Sequence, residues 1–546
     1  MTYPELLNIP FITRRSPVYG RKGMVAASQP LAVMAGIRIL EQGGTAADAA
    51  VAVAAALNVT EPNSTGLGGD FFALYYENAS RKVYALNGSG RAPAALNLKR
   101  LQAEGLGDSL PPTHPYTVTV PGACAGWCDL VDRFGSLPLA KIFAPAMDLA
   151  EGGFPVAPLT AYFWQRSAGG LLKNAINGFE MTIDGRGPRA GEIFRNPGLA
   201  RSLWIIAEQG KAGYYQGEIG AAVAAAVQQA GGCMQVSDLE AHTSTWEQPI
   251  RASFHGVDIW ECPPNGQGLA ALLALNLLAG FDLASLPPLS AERLHLEIEA
   301  LRLGFTDARY YVADPAVSPA PLAGLLSPAY AEERRKLIHP RRANPDLRHG
   351  TPPASSDTVY FCTVDGAGNA CSVVNSNYMG FGTGIVPHGF GFTLQNRGHN
   401  FSLDASHPNA LAPGKRPYHT IIPAMATYTE NQALYGPFGV MGGFMQPQGH
   451  TQVAIGLVLD GYDPQTALDQ PRFCIEVDGD GQVAVEEGIP DATLSELEAM
   501  GHRLRPVSGV ARSLFGRGQI IRRDPASGVL AGGSDGRADG FAAPVV

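Results

Sequence analysis

Apolar residues dominate the chain from position 30 to position 58, PLAVMAGIRILEQGGTAADAAVAVAAALN, and the pattern predicts one long buried helix. The next apolar block, FFALYYENASRKVYAL, is rich in aromatic and β-branched residues and predicts two strands about a turn. Helical periodicity then prevails from roughly residue 125 to 345, most clearly in GLARSLWIIAEQG and ERLHLEIEALRLGFTDARYYV. Beyond residue 358 the pattern turns to strands and turns, with helices expected near 450–459 and 492–501. There is no internal repeat. Strand-rich blocks in both halves with helices between them predict an α+β sandwich of two sheets covered by helices.

The sharpest change of pattern falls at Thr358. Upstream, HPRRANPDLRHGTPPASSD is dense in Pro, Gly, Ser, Arg and Asp and has no apolar period. Downstream, VYFCTVD, a DGAGN turn and ACSVVNS predict a β-hairpin. A flexible spacer thus ends at a hydroxyl. If the bond between Asp357 and Thr358 were cut, Thr358 would carry a nucleophilic hydroxyl and a free α-amine on one residue, with no histidine needed as base. An α-amine titrates at about 7.7–8.0 and accepts a proton near neutral pH. Taken alone, Thr358 also reads as a β-branched residue opening a strand.

Composition narrows the class. With 45% apolar residues the 546-residue chain can fill a large core, and 65 Gly with 42 Pro imply many tight turns. A net charge of −9 argues against nucleic acid or an anionic membrane as partner. MTYPELLNIPFITRRSPVYG has Arg and Pro where a secretory segment is continuously apolar, so no signal peptide is expected. The run from Ala46 to Val59 is Ala-rich, interrupted by Asp48 and too short to span a membrane. Seven Cys, an odd number without CxxC spacing, suit a reducing cytoplasm with buried thiols. The 12 His form no HxxxH or HExxH pattern, and GFGTGIV has neither Walker nor dinucleotide spacing, so neither a catalytic metal nor a cofactor is expected.

Blocks spread over the whole chain resemble the γ-glutamyltransferase family of N-terminal-nucleophile hydrolases. They include ILEQGGTAADAAVAVAAALNVTEPNSTGLGGDFF, TVTVPGACAGW, WEQPIRASFHGVDIWECPPNGQG and EALRLGFTDARYYVADP, then FGTGIV, FTLQNRGHNFS, GKRPYHTIIPA and AGGSDGRADG. The resemblance implies a four-layer αββα sandwich and self-cleavage between Asp357 and Thr358. A large fragment, 1–357, and a small one, 358–546, would then share one interleaved core as a heterodimer, with a heterotetramer as a further option. It also implies that Ser376, eighteen residues after the nucleophile, hydrogen-bonds Thr358. Gly442 and Gly443 are the candidates for placing oxyanion-hole amides, although the family's paired glycines fall by register near Met445 and Gln446.

Substrate residues depart from the glutamyl-specific members. Arg91, in LNGSGRAP, is similar in setting to the family's carboxylate-binding arginine. His419 and Thr420 stand where those members have two serines, Asn400 replaces the acidic residue that holds the substrate ammonium, and Arg397 replaces an uncharged amide. A charge-assisted contact is worth about 1.5–3 kcal/mol, and Asn400 cannot supply it to an ammonium. Arg397 would repel an ammonium and attract a carboxylate. The expected substrate is a small amide whose acyl side bears a carboxylate and no α-amine, as in oxamate. The alternatives are a γ-glutamyltransferase or glutathione hydrolase, a glutaryl-type cephalosporin acylase, an inactive binding paralogue and an unprocessed structural protein.

Overall fold

The computed structural model describes residues 15–107, 110–344, 358–476 and 481–546. Two seven-stranded sheets lie face to face between helical layers, the four-layer αββα sandwich of the N-terminal-nucleophile hydrolases. The first sheet runs Phe541–Pro544, Met24–Ala27, Val359–Val364, Ala370–Ser376, Asp70–Glu77, Lys82–Gly88 and Thr245–Glu247. The second runs Val18–Gly20, Leu530–Ser534, Arg517–Arg523, Leu434–Met441, Ala424–Tyr428, Val257–Glu261 and Ile250–Phe254. Both sheets therefore draw strands from before and after residue 358. The central strands of the first sheet are buried on both faces, which is why VYFCTV reads as a continuous apolar run and does not alternate.

The long helix expected over 30–58 is two helices, Pro30–Glu41 and Ala46–Thr60. Gly43 adopts φ +83°, a left-handed turn that a helix cannot pass through, and Thr45 with Asp48 forms a capping box that starts the second helix. All fifteen residues of Ala46–Thr60 are buried against the first sheet, so small side chains are required on every face. Helices Gly268–Leu278, Met445–Val458 and Pro464–Asp469 cover the outer face of the second sheet, and Ala291–Tyr311 packs on the first of these. Helices Pro197–Tyr215, Ala291–Tyr311 and Asp491–Ala499 and the hairpin Val359–Val364 with Ala370–Ser376 appear where the sequence pattern places them. The region read as dominantly helical also holds three strands of the sheets, Thr245–Glu247, Ile250–Phe254 and Val257–Glu261. Among the described residues no helix is long and apolar enough to cross a membrane. All seven cysteines are free and buried.

Candidate active site

Thr358 is fully buried and immediately precedes the strand Val359–Val364. That strand pairs antiparallel with Ala370–Ser376 in a register that sets Val359 opposite Asn375. The next rung brings Thr358 opposite Ser376, and their hydroxyl oxygens lie 3.0 Å apart. Ser376 is in turn opposite Asp70 on the adjoining strand. Three polar side chains thus share one rung across three neighbouring strands and point to the same face. Gly69 allows this approach, since a Cβ there would stand 2.4 Å from the Ser376 carbonyl oxygen. Asp357 and the spacer from residue 345 lie outside the described residues.

Two N–H groups converge on Ser376 Oγ, the backbone amide of Tyr378 at 2.9 Å and Arg397 Nη2 at 3.3 Å. This geometry lets Ser376 give its own proton to Thr358 Oγ1. Arg397 donates through Nη1 to Thr420 Oγ1 at 2.6 Å, and its guanidinium lies 4.4 Å from the centre of the Tyr378 ring. It is fully buried and makes no ion pair among the described residues. Burial pulls its pKa down to about 10, against the opposing field of Asp70. Arg397 Nε has no acceptor among the described residues.

Among the described residues, His419 makes no hydrogen bond to Ser376. Its Nε2 lies 2.8 Å from Asp70 Oδ2, its ring tilts against Phe72, and Nδ1 faces the Ile421 amide at 3.4 Å. Burial first, then the positive field of Arg397, lowers its pKa to about 3, so the imidazole is neutral. Asn400 lies three residues after Arg397 in a short 3-10 turn, and its Nδ2 is buried without an acceptor among the described residues. Arg91 is half-exposed and donates to the Thr243 carbonyl at 3.3 Å. No hydrogen bond among the described residues joins it to the Thr358 group.

Gly442 and Gly443 form the turn between the strand Leu434–Met441 and the helix Met445–Val458, with φ of +130° and +57°. The amides of Met445 and Gln446 close back onto the carbonyls of Gly442 and Gly443, so they are already in use. The amides of Gly442, Gly443 and Phe444 donate to no backbone carbonyl among the described residues. Gln267 ties this turn to the site, since its Nε2 reaches the Thr420 carbonyl at 2.6 Å and the Gly443 carbonyl at 2.8 Å.

Asp70, Gln267, Tyr378 and Gln395 belong to this group and are not among the residues the sequence reading singles out. Asp70 had a signal, as a charge next to the apolar run FFALYY. Elsewhere, His295, Glu299 and His502 place possible ligand atoms within 4.8 Å of one another. They are already partnered: His295 Nδ1 lies 2.8 Å from His502 Nε2, and Glu299 accepts from Arg302 at 2.6 Å and from the Asn344 amide at 3.0 Å.

The gamma-glutamyltranspeptidase family model matches residues 32–545. A crystal structure of cephalosporin acylase from Bacillus halodurans superposes with a TM-score of 0.91 at 44% identity, covering 98% of each chain. The glutathione hydrolase-like YwrD proenzyme of Bacillus subtilis is 35% identical over 96% of this chain and 99% of its own length. The oxamate amidohydrolase proenzyme of Klebsiella pneumoniae is 31% identical over 95% of this chain and 98% of its own.

Proposed function

Because this chain belongs to the gamma-glutamyltranspeptidase family and is an amidohydrolase of the N-terminal-nucleophile type, we propose that Thr358 is its nucleophile and that its substrate is a small amide with a carboxylate and no α-amine on the acyl side. The observation that carries the substrate reading is Arg397, a buried cation with no carboxylate partner among the described residues, which donates to Ser376, the hydrogen-bond partner of Thr358. A buried charge without a directly paired carboxylate is costly, and Asp70 acts on Arg397 only through its field. A substrate carboxylate would supply the missing partner, whereas a substrate ammonium would add a second positive charge. Asn400 Nδ2, also a donor without an acceptor among the described residues, favours the same sign. Similarity to an oxamate amidohydrolase agrees with this, for oxamate is a monoamide with a carboxylate and no amine.

Maturation comes first. Thr358 Oγ1 attacks the Asp357 carbonyl carbon, the C–N bond breaks, and an ester forms while the Thr358 nitrogen becomes an amine. Water then opens the ester, leaving a carboxylate at Asp357 and a free hydroxyl and amine on Thr358. In turnover the hydroxyl attacks the substrate amide and its proton passes to the α-amine. Ser376 steadies the attacking oxygen, and amides of the Gly442–Phe444 turn serve as oxyanion donors. The leaving amine takes the proton from the α-ammonium, and water hydrolyses the acyl-enzyme. Fragments 1–357 and 358–546 remain associated as a heterodimer.

The test pairs a denaturing gel and N-terminal sequencing with kcat/KM on oxamate, glutaryl-p-nitroanilide and γ-glutamyl-p-nitroanilide. Two fragments, the smaller beginning at Thr358, and a preference for either amine-free acyl group support the reading. An intact chain that hydrolyses amides rejects the nucleophile, and a clear preference for the glutamyl compound rejects the substrate class.

A further inference from the structure

Asp70 is fully buried and both of its oxygens are occupied. Oδ1 accepts from the amides of Gly90 at 2.9 Å and Gly122 at 3.2 Å and from Gln395 Nε2 at 3.0 Å. Oδ2 faces His419 Nε2 at 2.8 Å. Two of these partners neighbour the pair that supports the nucleophile. Gln395 precedes Arg397 by two residues, and His419 immediately precedes Thr420. Asp70 also supplies the negative field felt by two buried guanidiniums, Arg397 and Arg416, each with a pKa lowered to about 10 chiefly by burial.

We propose that Asp70 is the positioning residue of this active site, holding His419 as the Nε2–H tautomer and, through His419 and Gln395, pressing the Arg397–Thr420 pair against Ser376. The proposal rests on Thr358 being the nucleophile, and it holds for any acyl group. A carboxylate only accepts, so the proton between Asp70 and His419 sits on Nε2. Nδ1 is then a lone pair aimed at the Ile421 N–H. Both ring nitrogens are satisfied in this tautomer and in no other. His419 and Thr420 are successive residues on one strap, so a turn of the imidazole displaces the hydroxyl that Arg397 grips.

Asp70→Asn tests this directly. Its carbonyl oxygen still serves Gly90, Gly122 and Gln395, but its NH2 faces His419 Nε2. The ring must move its proton to Nδ1, where it meets the Ile421 N–H donor to donor. Adding His419→Gln relieves the conflict, because a glutamine amide can turn its oxygen toward the new NH2. Loss of the Asp70 charge also makes Arg397 easier to deprotonate, since among the described residues the other titratable groups that act on it are the Tyr378 phenol and neutral His419. Around Arg416 the remaining charges are Arg91, Glu247 and Asp314.

The experiment compares matured wild type, Asp70→Asn, His419→Gln and the double variant on glutaryl-p-nitroanilide, with rates per cleaved chain and a pH profile. Asp70→Asn is expected to lower kcat at least about tenfold and to move the alkaline fall of kcat/KM below its wild-type position. The double variant is expected to recover most of the kcat loss while keeping the alkaline shift, a combination that a merely structural role would not produce. Wild-type kcat and alkaline limb in Asp70→Asn overturn the proposal, as does a double variant that melts like wild type and is no faster than the single one. If Asp70→Asn does not fold, His419→Phe carries the test: a comparable kcat loss supports the proposal and an unchanged kcat overturns it. An unprocessed wild type that still turns over amides would instead reject the nucleophile on which the proposal rests.

Discussion

Ser376 stands on the rung directly across from Thr358, and the two hydroxyl oxygens are 3.0 Å apart in a fully buried setting. The contact is fixed by backbone register and does not depend on a flexible loop. Two N–H donors on Ser376 Oγ orient it further. In the proposed mechanism, a hydroxyl held this way stabilises the negative charge that develops on the attacking oxygen.

Ser376→Ala is therefore expected to lower kcat by about 10- to 100-fold, the worth of one hydrogen bond to a developing charge, with KM changed less. It also removes the Ser376 Oγ that accepts from the Tyr378 amide. Steady-state kinetics on the cleaved fraction check this, and self-cleavage should slow in parallel on a time course of gels.

On the proposed mechanism, Thr358→Ala removes attacker and cleavage together. The chain should stay whole on a denaturing gel, and amide turnover should fall to the level of a blank. Thr358→Ser keeps the hydroxyl and should still mature, more slowly. Chemical acetylation of the new terminus of the matured wild type should abolish activity, because the proton acceptor is lost while the hydroxyl remains.

Arg397→Gln removes the charge but keeps a donor for Thr420 or Ser376. Loss of a charge-assisted contact worth about 1.5–3 kcal/mol predicts a drop of roughly 10- to 150-fold in kcat/KM for carboxylate-bearing amides. The γ-glutamyl compound, whose ammonium the arginine repels, should lose far less or gain. Equal losses on both substrates would remove the charge argument.

Stability should fall on the acid side through buried neutral imidazoles. His242, His419 and His502 each have a folded pKa lowered to about 3, with burial the first cause in every case. In the unfolded chain an imidazole titrates near 6.5. Below that pH the unfolded state binds protons the folded state refuses, so their effect on stability is absent above about pH 6.5 and grows as pH falls toward 3. Calorimetric melting temperatures should decline from about pH 6.5 to pH 4, with proton uptake on unfolding. An acid-side melting temperature that stays flat through this range would contradict it.

The hairpin after residue 358 was legible because its strands are short, β-branched and separated by a Gly-Asn turn, signals that lie within a few residues of one another. Ser376 followed from the family resemblance, and the hairpin made it plausible. The break at Gly43 is not legible in the sequence, because the apolar content on both sides masks a local backbone choice. Thr245–Glu247, Ile250–Phe254 and Val257–Glu261 were lost among long helices, since short strands carry little periodicity. Asp70 and Gln267 lie in GLGGDFF and PPNGQG, where nothing nearby in the sequence names their partners. Their partners lie 349 residues away at His419 and 176 away at Gly443, and no local pattern reports such distances.

The first sheet pairs Met24–Ala27 with Val359–Val364 on one side and Asp70–Glu77 with Ala370–Ser376 on the other. Scission at residue 357 would therefore sever a chain whose severed parts alternate within a single sheet. Folding would then have to precede the cut, and the cut would erase the connectivity that guided it. Heat-denatured mature protein must then find its other half by collision, so its recovery on cooling should depend on dilution, whereas the uncut Thr358→Ala chain carries both halves with it and should regain its structure at a rate indifferent to concentration.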